Sequence, residues 1–382
     1  MWQIQTINKI DSIIHQIMGK ENYFIADDVA EPDAILVRSA KLHDLELPKS
    51  LLAIARAGAG TNNIPIDRCT EKGIVVFNTP GANANAVAEL VIAGIIIASR
   101  NIAAATFWLT AQPKDENLAA AIEKGKSQFV GGEIAGKNIG LIGLGAIGIL
   151  VAQKAAALGM TVYGYDPFIS EAAKNKLDKQ INLVTNRDEL FKKCRFISLH
   201  LPTTAETKGS FNAEVFQKFN DNTILLNFAR GDLINSGNLL TAIANGKILH
   251  YITDFPSADL IDNPHITPIP HLGASCPEAE TNCATMAAAQ TVAYLENGNI
   301  INSVNFPNCS LADNKQNRLS IAYNTEKNTE KEILAHLAGF TNKAGAVRQN
   351  TGYILADFAS AQSEEKLAEL KKLDGILLVR SL

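Results

Sequence analysis

Cysteine is scarce and unpatterned in this chain of 382 residues. The five thiols (Cys69, Cys194, Cys276, Cys283, Cys309) are an odd number at irregular spacing with no C-x-x-C. Neither a disulfide framework nor a zinc site is indicated, no metal is expected, and the thiols read as small core or surface residues. A charge excess is missing as well: 35 Lys and Arg stand against 39 Asp and Glu, a net charge of -4. With no basic cluster interleaved with aromatics, nothing would grip a phosphate backbone, which argues against nucleic acid as the main partner. There is no leader-like start, because polar residues and Asp11 break the region where a signal peptide needs an apolar core. The longest apolar run, Ile139 to Ala152, ends at Gln153-Lys154, short of the roughly 18 residues that span a bilayer. A cytoplasmic protein with no membrane partner is the expectation.

What remains is the composition of a globular protein, 47% hydrophobic and 19% charged, long enough for two or three domains. Short β-rich runs alternate with helical patterns, the signature of βαβ units and covered parallel sheets. Strands are expected at Trp2 to Thr6, Ala34 to Val37, Leu51 to Arg56 and Val75 to Asn78, then a long apolar helix from Ala84 to Arg100. Alternation restarts with strands at Ile139 to Ile142, Thr161 to Tyr165, Phe196 to His200, Thr223 to Asn227, Ile248 to Asp254 and Ile266 to Ile269. The polar stretch Lys114 to Gly132 reads as a hinge between the two units. After an alanine-rich helix from Cys276 to Gly298 and a turn-rich exit at Asn302 to Asn308, the tail runs in βαββαβ order. Its parts are a strand at Leu319 to Tyr323, a helix at Lys331 to Phe340, strands flanking Asn350-Thr351-Gly352, a helix at Glu364 to Leu373 and a strand at Gly375 to Arg380. The fold class is therefore α/β: two doubly wound parallel-sheet units, with a small α+β ferredoxin-like module at the C-terminal end.

Three loops carry chemistry. Gly143-Leu144-Gly145-Ala146-Ile147-Gly148 follows one buried strand and opens a helix. Its glycines let the backbone approach a pyrophosphate, whose charge the helix N-terminus meets. The next strand ends in Tyr165-Asp166, where a carboxylate can accept from both hydroxyls of an adenosine ribose and repel a 2′-phosphate. A plain glycine turn with a solvated aspartate is the bland alternative. Arg230, in Asn227-Phe228-Ala229-Arg230-Gly231-Asp232, sits at a strand's C-terminal edge and can clamp a carboxylate bidentately. A surface arginine is the alternative there. Pro270-His271-Leu272-Gly273-Ala274 puts an imidazole on a glycine-bounded loop, suited to carry the proton of an alcohol that loses hydride. A structural histidine competes with that reading.

The ordered set of motifs resembles the D-isomer-specific 2-hydroxyacid dehydrogenase family over nearly the whole chain. The matching pieces are Gly58-Ala59-Gly60-Thr61-Asn62-Asn63-Ile64, Asn78-Thr79-Pro80 with Val87-Ala88-Glu89-Leu90, the glycine loop, Tyr165-Asp166-Pro167, His200-Leu201-Pro202, Ala229-Arg230-Gly231 and Pro270-His271-Leu272-Gly273. The resemblance implies NAD as cofactor, contacted by Gly143, Gly145, Ala146, Ile147, Gly148, Asp166, His200, Phe228, Ala229, Asp254 and Gly273. It gives Arg230 the substrate's carboxylate and keto oxygen, and His271 the hydroxyl proton. Asp254 resembles the aspartate that bonds the nicotinamide carboxamide. Asp259 stands where the family has the glutamate that pairs with the catalytic histidine. The segment Asp254-Phe255-Pro256-Ser257-Ala258-Asp259 departs from the family pattern and the stretch from Asp259 to His271 is shortened, so a solvated loop aspartate competes with that role.

Within the family, Val37-Arg38-Ser39 resembles the phosphate-holding segment of the branch that oxidises 3-phospho-D-glycerate, the entry to L-serine biosynthesis. Arg56, Gly58, Ala59 and Gly60 lie nearby in that scheme, with Asn83 at the cleft's edge. The resemblance further implies a discontinuous substrate-binding domain (1–100 and 277–305), an NAD-binding domain (101–276), an ACT-like domain (312–382) and a homodimer or homotetramer. Tyr323 to Glu330 has neither Pro nor Gly and carries Glu326 and Glu330, so the tail is expected to serve assembly or stability rather than to sense serine. Rival readings are a hydroxypyruvate/glyoxylate reductase, a D-lactate dehydrogenase, or an NAD-sensing corepressor of the same fold.

Overall fold

The computed structural model describes residues 1–175, 177, 181–312, 317–337 and 339–382. The expected start of the tail module near Asn314 lies outside them. The chain divides into two compact units, Met1–Asn83 with Pro277–Leu382, and Ala84–Cys276.

The first unit is built on five parallel strands: β1 (Trp2–Ile7), β2 (Tyr23–Ala26), β3 (Ala34–Val37), β4 (Ala53–Arg56) and β5 (Val75–Phe77), in the order β2-β1-β3-β4-β5. That is a doubly wound order with its crossover between β1 and β3. Central strands buried on both faces need continuous apolar runs, and β3, with Ala34, Ile35, Leu36 and Val37 all buried, is such a run. The helix Pro277–Asn297 returns from the far end of the sequence to cover one face, packing Ala284, Ala287, Ala288, Tyr294 and Leu295 into a core with Ile4, Leu36 and Phe77. Buried Asn305 fastens the exit from that helix: its Oδ1 accepts from Val76 N at 2.9 Å, and its Nδ2 donates to Ile74 O and Thr70 Oγ1.

The second unit carries seven parallel strands: β6 (Asn138–Ile142), β7 (Thr161–Tyr165), β8 (Asn182–Leu183), β9 (Phe196–Leu199), β10 (Thr223–Asn227), β11 (Ile248–Thr253) and β12 (Ile266–Pro268). Their order is β12-β11-β10-β9-β6-β7-β8, so the order reverses at β6/β9, the switch point where such sheets bind dinucleotides. Register aligns Asn227 with Thr253 and Thr253 with Pro268. The loops after β10, β11 and β12 therefore leave one edge side by side.

Two boundaries differ from expectation. The helix Ala84–Ser99, expected within the first domain, belongs to the second unit, where Val87, Ala88, Val91 and Ile95 join the core of Ile139, Leu141 and Phe228. The polar stretch from Lys114 to Gly132 is no hinge, because the chain passes between units at 83/84 and 276/277. It folds as the helix Leu118–Gly125 and the 3-10 turn Lys126–Phe129. Trp108 from the preceding helix Ile102–Thr110 packs on Phe129, ring centroids 5.4 Å apart, and Gly132 N donates to Ser99 O at 2.9 Å.

The tail forms an antiparallel sheet of β13 (Arg318–Asn324), β14 (Phe340–Arg348), β15 (Thr351–Phe358) and β16 (Ile376–Ser381) in the order β14-β15-β13-β16, with helices Glu330–Ala335 and Glu364–Lys372. This is the expected ferredoxin-like arrangement, except that the first helix is shorter and Phe340 opens a strand. A Thr329–Glu332 capping box starts that helix. Two arginines of this sheet supply the positive charge that the long helix lacks in its last turn. Arg318 donates to Asn297 O at 3.1 Å, and Arg380 donates to Leu295 O at 2.8 Å while lying over the Tyr294 ring. The buried Arg318 also forks onto Asp357, at 2.6 and 3.1 Å.

Candidate active site

The glycine loop shows why those positions carry no side chain. At Gly143, with φ +96°, a Cβ would lie 2.5 Å from the His200 carbonyl oxygen, and at Gly148 it would meet the Gly143 oxygen at 2.1 Å. At Gly145 it would meet nothing within 4 Å, which leaves the backbone open on that side. Gly145 is also the N-cap of the helix Ala146–Ala157, so the loop presents unpaired first-turn N–H groups, and the cradle fits a pyrophosphate. Asp166 follows β7 and is tied to the same loop, Oδ2 accepting from Leu144 N at 2.8 Å and Oδ1 from Phe168 N at 2.9 Å. Each oxygen keeps a lone pair for a ribose hydroxyl.

His200 stands beside this cradle after β9, 3.0 Å from Ser198 Oγ, and burial pushes its pKa down to about 4, so the ring is neutral. Phe228 points away from the loop edge into the core, where its ring lies against Gly94. Any cofactor contact it makes is through backbone. Ala146 and Ile147 open the helix that follows the glycine loop, and Ala229, buried, follows Phe228 after β10.

Arg230, after β10, is exposed and makes no ion pair among the described residues. Its backbone is set by Asn227, whose Oδ1 accepts from Ala229 N and Arg230 N while its Nδ2 donates to Arg230 O at 2.8 Å. His271, after β12, is also exposed and holds φ +53°, a conformation costly for a residue with a Cβ. Its ring lies 4.7 Å from that of Phe255, and Phe255 in turn backs onto Gly231. Adjacent strands thus bring Arg230, Phe255 and His271 to one edge of the sheet.

Asp254 is the anchor of that edge. Its buried carboxylate accepts from Leu272 N at 2.6 Å and Gly273 N at 2.8 Å. Burial pushes its pKa up, against the pull of the two amides and of the His271 charge. Asp259, expected as a partner for His271, does not reach it: its exposed carboxylate accepts from Ser257 Oγ at 2.6 Å and is also bonded by Ser236, which hold its pKa down. The shortened loop turns it toward its own neighbours. No carboxylate among the described residues hydrogen-bonds the His271 ring.

In the first unit, Arg38 follows β3 and Arg56 ends β4, and Arg56 Nε donates to Arg38 O at 3.1 Å. Gly58, at φ +154°, starts a loop whose Ala59 oxygen accepts from Asn78 Nδ2 at 2.7 Å, with Gly60 following. Ser39 N donates to Asn8 Oδ1 at 3.1 Å, and Asn83 closes the first segment of the unit. Sequence reasoning missed Glu280, whose carboxylate pairs with Arg38 at 2.5 Å. The only available signal was an acid in the first turn of the helix after the histidine loop.

Residues 92–273 match the family profile described as D-isomer specific 2-hydroxyacid dehydrogenase, NAD binding domain. The chain is 38% identical over 264 residues to a hydroxypyruvate reductase of Thermotoga maritima, covering 66% of this chain and 81% of that protein. The chain belongs to the D-isomer specific 2-hydroxyacid dehydrogenase family. Other family members are similar too: D-3-phosphoglycerate dehydrogenase of Bacillus subtilis, 34% identical over 78% of this chain and 56% of that one, and that of Methanocaldococcus jannaschii, 36% over 74% and 54%. The chain spans about half the length of these relatives. The crystal structure of NAD+-bound 3-phosphoglycerate dehydrogenase from Entamoeba histolytica superimposes with a TM-score of 0.63 at 28% identity, covering 80% of this chain and 98% of that one.

Proposed function

We propose that this chain oxidises 3-phospho-D-glycerate to 3-phosphohydroxypyruvate with NAD, the first step toward L-serine. The observation that carries the reading is the edge on which Arg230 and His271 stand, three strands in register with the imidazole loop pinned by Asp254. Arg230 clamps the substrate carboxylate and polarises the neighbouring oxygen. His271 accepts the C2 hydroxyl proton as the C–H bond is oxidised. The glycine loop and Asp166 would hold the pyrophosphate and adenosine ribose, and NAD when bound supplies the hydride acceptor. Arg38 and Arg56, with the loop from Gly58 and with Asn83, are assigned the phosphate end of the substrate.

The domain division proposed with this function is a substrate-binding part, a cofactor-binding part and an ACT-like tail. A homo-oligomer formed through the cofactor unit is part of the same reading. The helix Ile102–Thr110 supports it, since no residue of it is buried and Phe107 is 78% exposed, an apolar surface that a second copy would cover. Sedimentation at micromolar concentration is expected to give a dimer or tetramer, and a monomer would overturn that part.

The second reading, reduction of hydroxypyruvate, is favoured by the Thermotoga relative's name. Steady-state rates with NAD and 3-phosphoglycerate, against NADH and hydroxypyruvate, separate the two. His271→Ala is expected to lower turnover by about 10² to 10⁴ in either case, and near-normal turnover would remove the histidine from the mechanism.

A further inference from the structure

Arg38 is not waiting bare for an anion. Its Nη2 lies 2.5 Å from Glu280 Oε1, the two side chains being 38% and 41% exposed. Glu280 stands in the first turn of the helix Pro277–Asn297. The neighbouring Glu278, in the same turn, makes no ion pair among the described residues, so engagement of Arg38 is not a generic property of acids at that helix start. Arg56 is bonded to the Arg38 backbone, which gathers two guanidinium groups and one carboxylate in a single patch. One turn further along, the buried Cys283 thiol, raised by burial, feels Arg56, Arg38 and Glu280 together.

We propose that Glu280 is a specificity-determining residue, a resident counterion on Arg38 that a dianionic substrate group must displace or share. This deepens the reading that Arg38 receives the substrate's phosphate and rests on it. A phosphate binds arginine best through two parallel N–H bonds, and Glu280 already occupies Nη2. Its negative charge also repels the incoming dianion, a repulsion that an acid ending in a neutral hydroxyl does not meet. Because exposed ion pairs are weakly held, the phosphate can still enter, but at reduced affinity. Glu280 thus narrows the preference for the phosphorylated acid over its unphosphorylated counterpart.

The test compares kcat/KM for 3-phosphoglycerate and for D-glycerate in the full-length protein at fixed ionic strength. Glu280→Gln removes the charge and keeps the shape. It is expected to raise kcat/KM for the phosphorylated acid about three- to fivefold, mostly through KM, as loss of an exposed charge interaction allows, with D-glycerate within about twofold. Added salt should shrink the gain. Glu280→Asp, which keeps the helix-start charge but shortens its reach, should give a smaller gain, and Glu278→Gln none. Arg38→Gln should lower the phosphorylated rate and cancel the effect of Glu280→Gln. If Arg38→Gln is damaging while Glu280→Gln brings no gain or a loss, the proposal falls and the phosphate reading stands. If Arg38→Gln is harmless and the wild type shows no preference for the phosphorylated acid, reading and proposal fall together.

Discussion

The buried carboxylate of Asp254 accepts the Gly273 N–H at 2.8 Å and, through its second oxygen, the Leu272 N–H at 2.6 Å, so it fastens the two residues that follow His271. That bond pair fixes the backbone just after His271, whose own φ is left-handed at +53°. Asparagine has one acceptor oxygen, so Asp254→Asn leaves one buried N–H facing an amide that cannot accept. We expect a stability loss of about 1–3 kcal/mol and a fall in kcat of roughly tenfold or more as the ring loses its aim. Asp259→Ala, at an exposed residue bonded to Ser257, should change kcat by less than about threefold, since surface changes are usually small. A larger loss from Asp259 than from Asp254 would reverse these roles.

Sequence patterning reached the buried elements and stopped at the edges, for physical reasons. β7 (Thr161–Tyr165) and β10 (Thr223–Asn227) have their expected bounds: β10 is buried throughout, as an interior parallel strand is, and β7 alternates buried with less buried residues in the strand period of two. β2 (Tyr23–Ala26) is a four-residue apolar stretch at a sheet edge with one residue buried, and the two-residue β8, at the edge of the other sheet, is too short to carry a pattern. The helix Leu118–Gly125 hides in a polar segment because none of its residues is buried. The glycine loop was legible because backbone geometry demands glycine at Gly143 and Gly148, and the His271 loop because the reaction demands a proton carrier, its backbone at φ +53° being unfavourable for that residue. The directions of Asp259 and Glu280 were not, because they depend on hydrogen bonds and ion pairs that spacing does not encode.

Acid should destabilise the second unit over a defined window. Burial pushes His200 down to about 4, and burial aided by the His265 charge does the same to His250, which bonds Thr267 at 2.8 Å. Both folded values lie below that of an unfolded histidine, near 6.5. Their contribution is therefore fully present above pH 6.5 and is lost as pH falls from there toward 4. Each such shift corresponds to on the order of 3 kcal/mol. Urea midpoints between pH 7.5 and 4.5 should fall steeply in the wild type and less so in His200→Asn with His250→Gln. An equal slope in the double variant would place the acid sensitivity elsewhere.

The tail module should depend on its buried ion pair more than on any surface contact. Arg318 and Asp357 are 1% and 2% exposed, and the guanidinium also serves Asn297 O and Ala312 O. Removing the acid strands a cation in the core without the charge that balances it. Asp357→Asn is accordingly expected to cost about 3–5 kcal/mol, the range for breaking one side of a buried pair. Replacing both partners together, Arg318→Met with Asp357→Leu, removes the stranded charge and should recover much of that loss. The two carbonyls then lose their donor, so recovery should be incomplete. Urea denaturation of the wild type and the two variants checks this order: wild type most stable, the double variant next, Asp357→Asn least. A single variant as stable as the wild type would show that the pair is solvated and that the module is held by its apolar contacts alone.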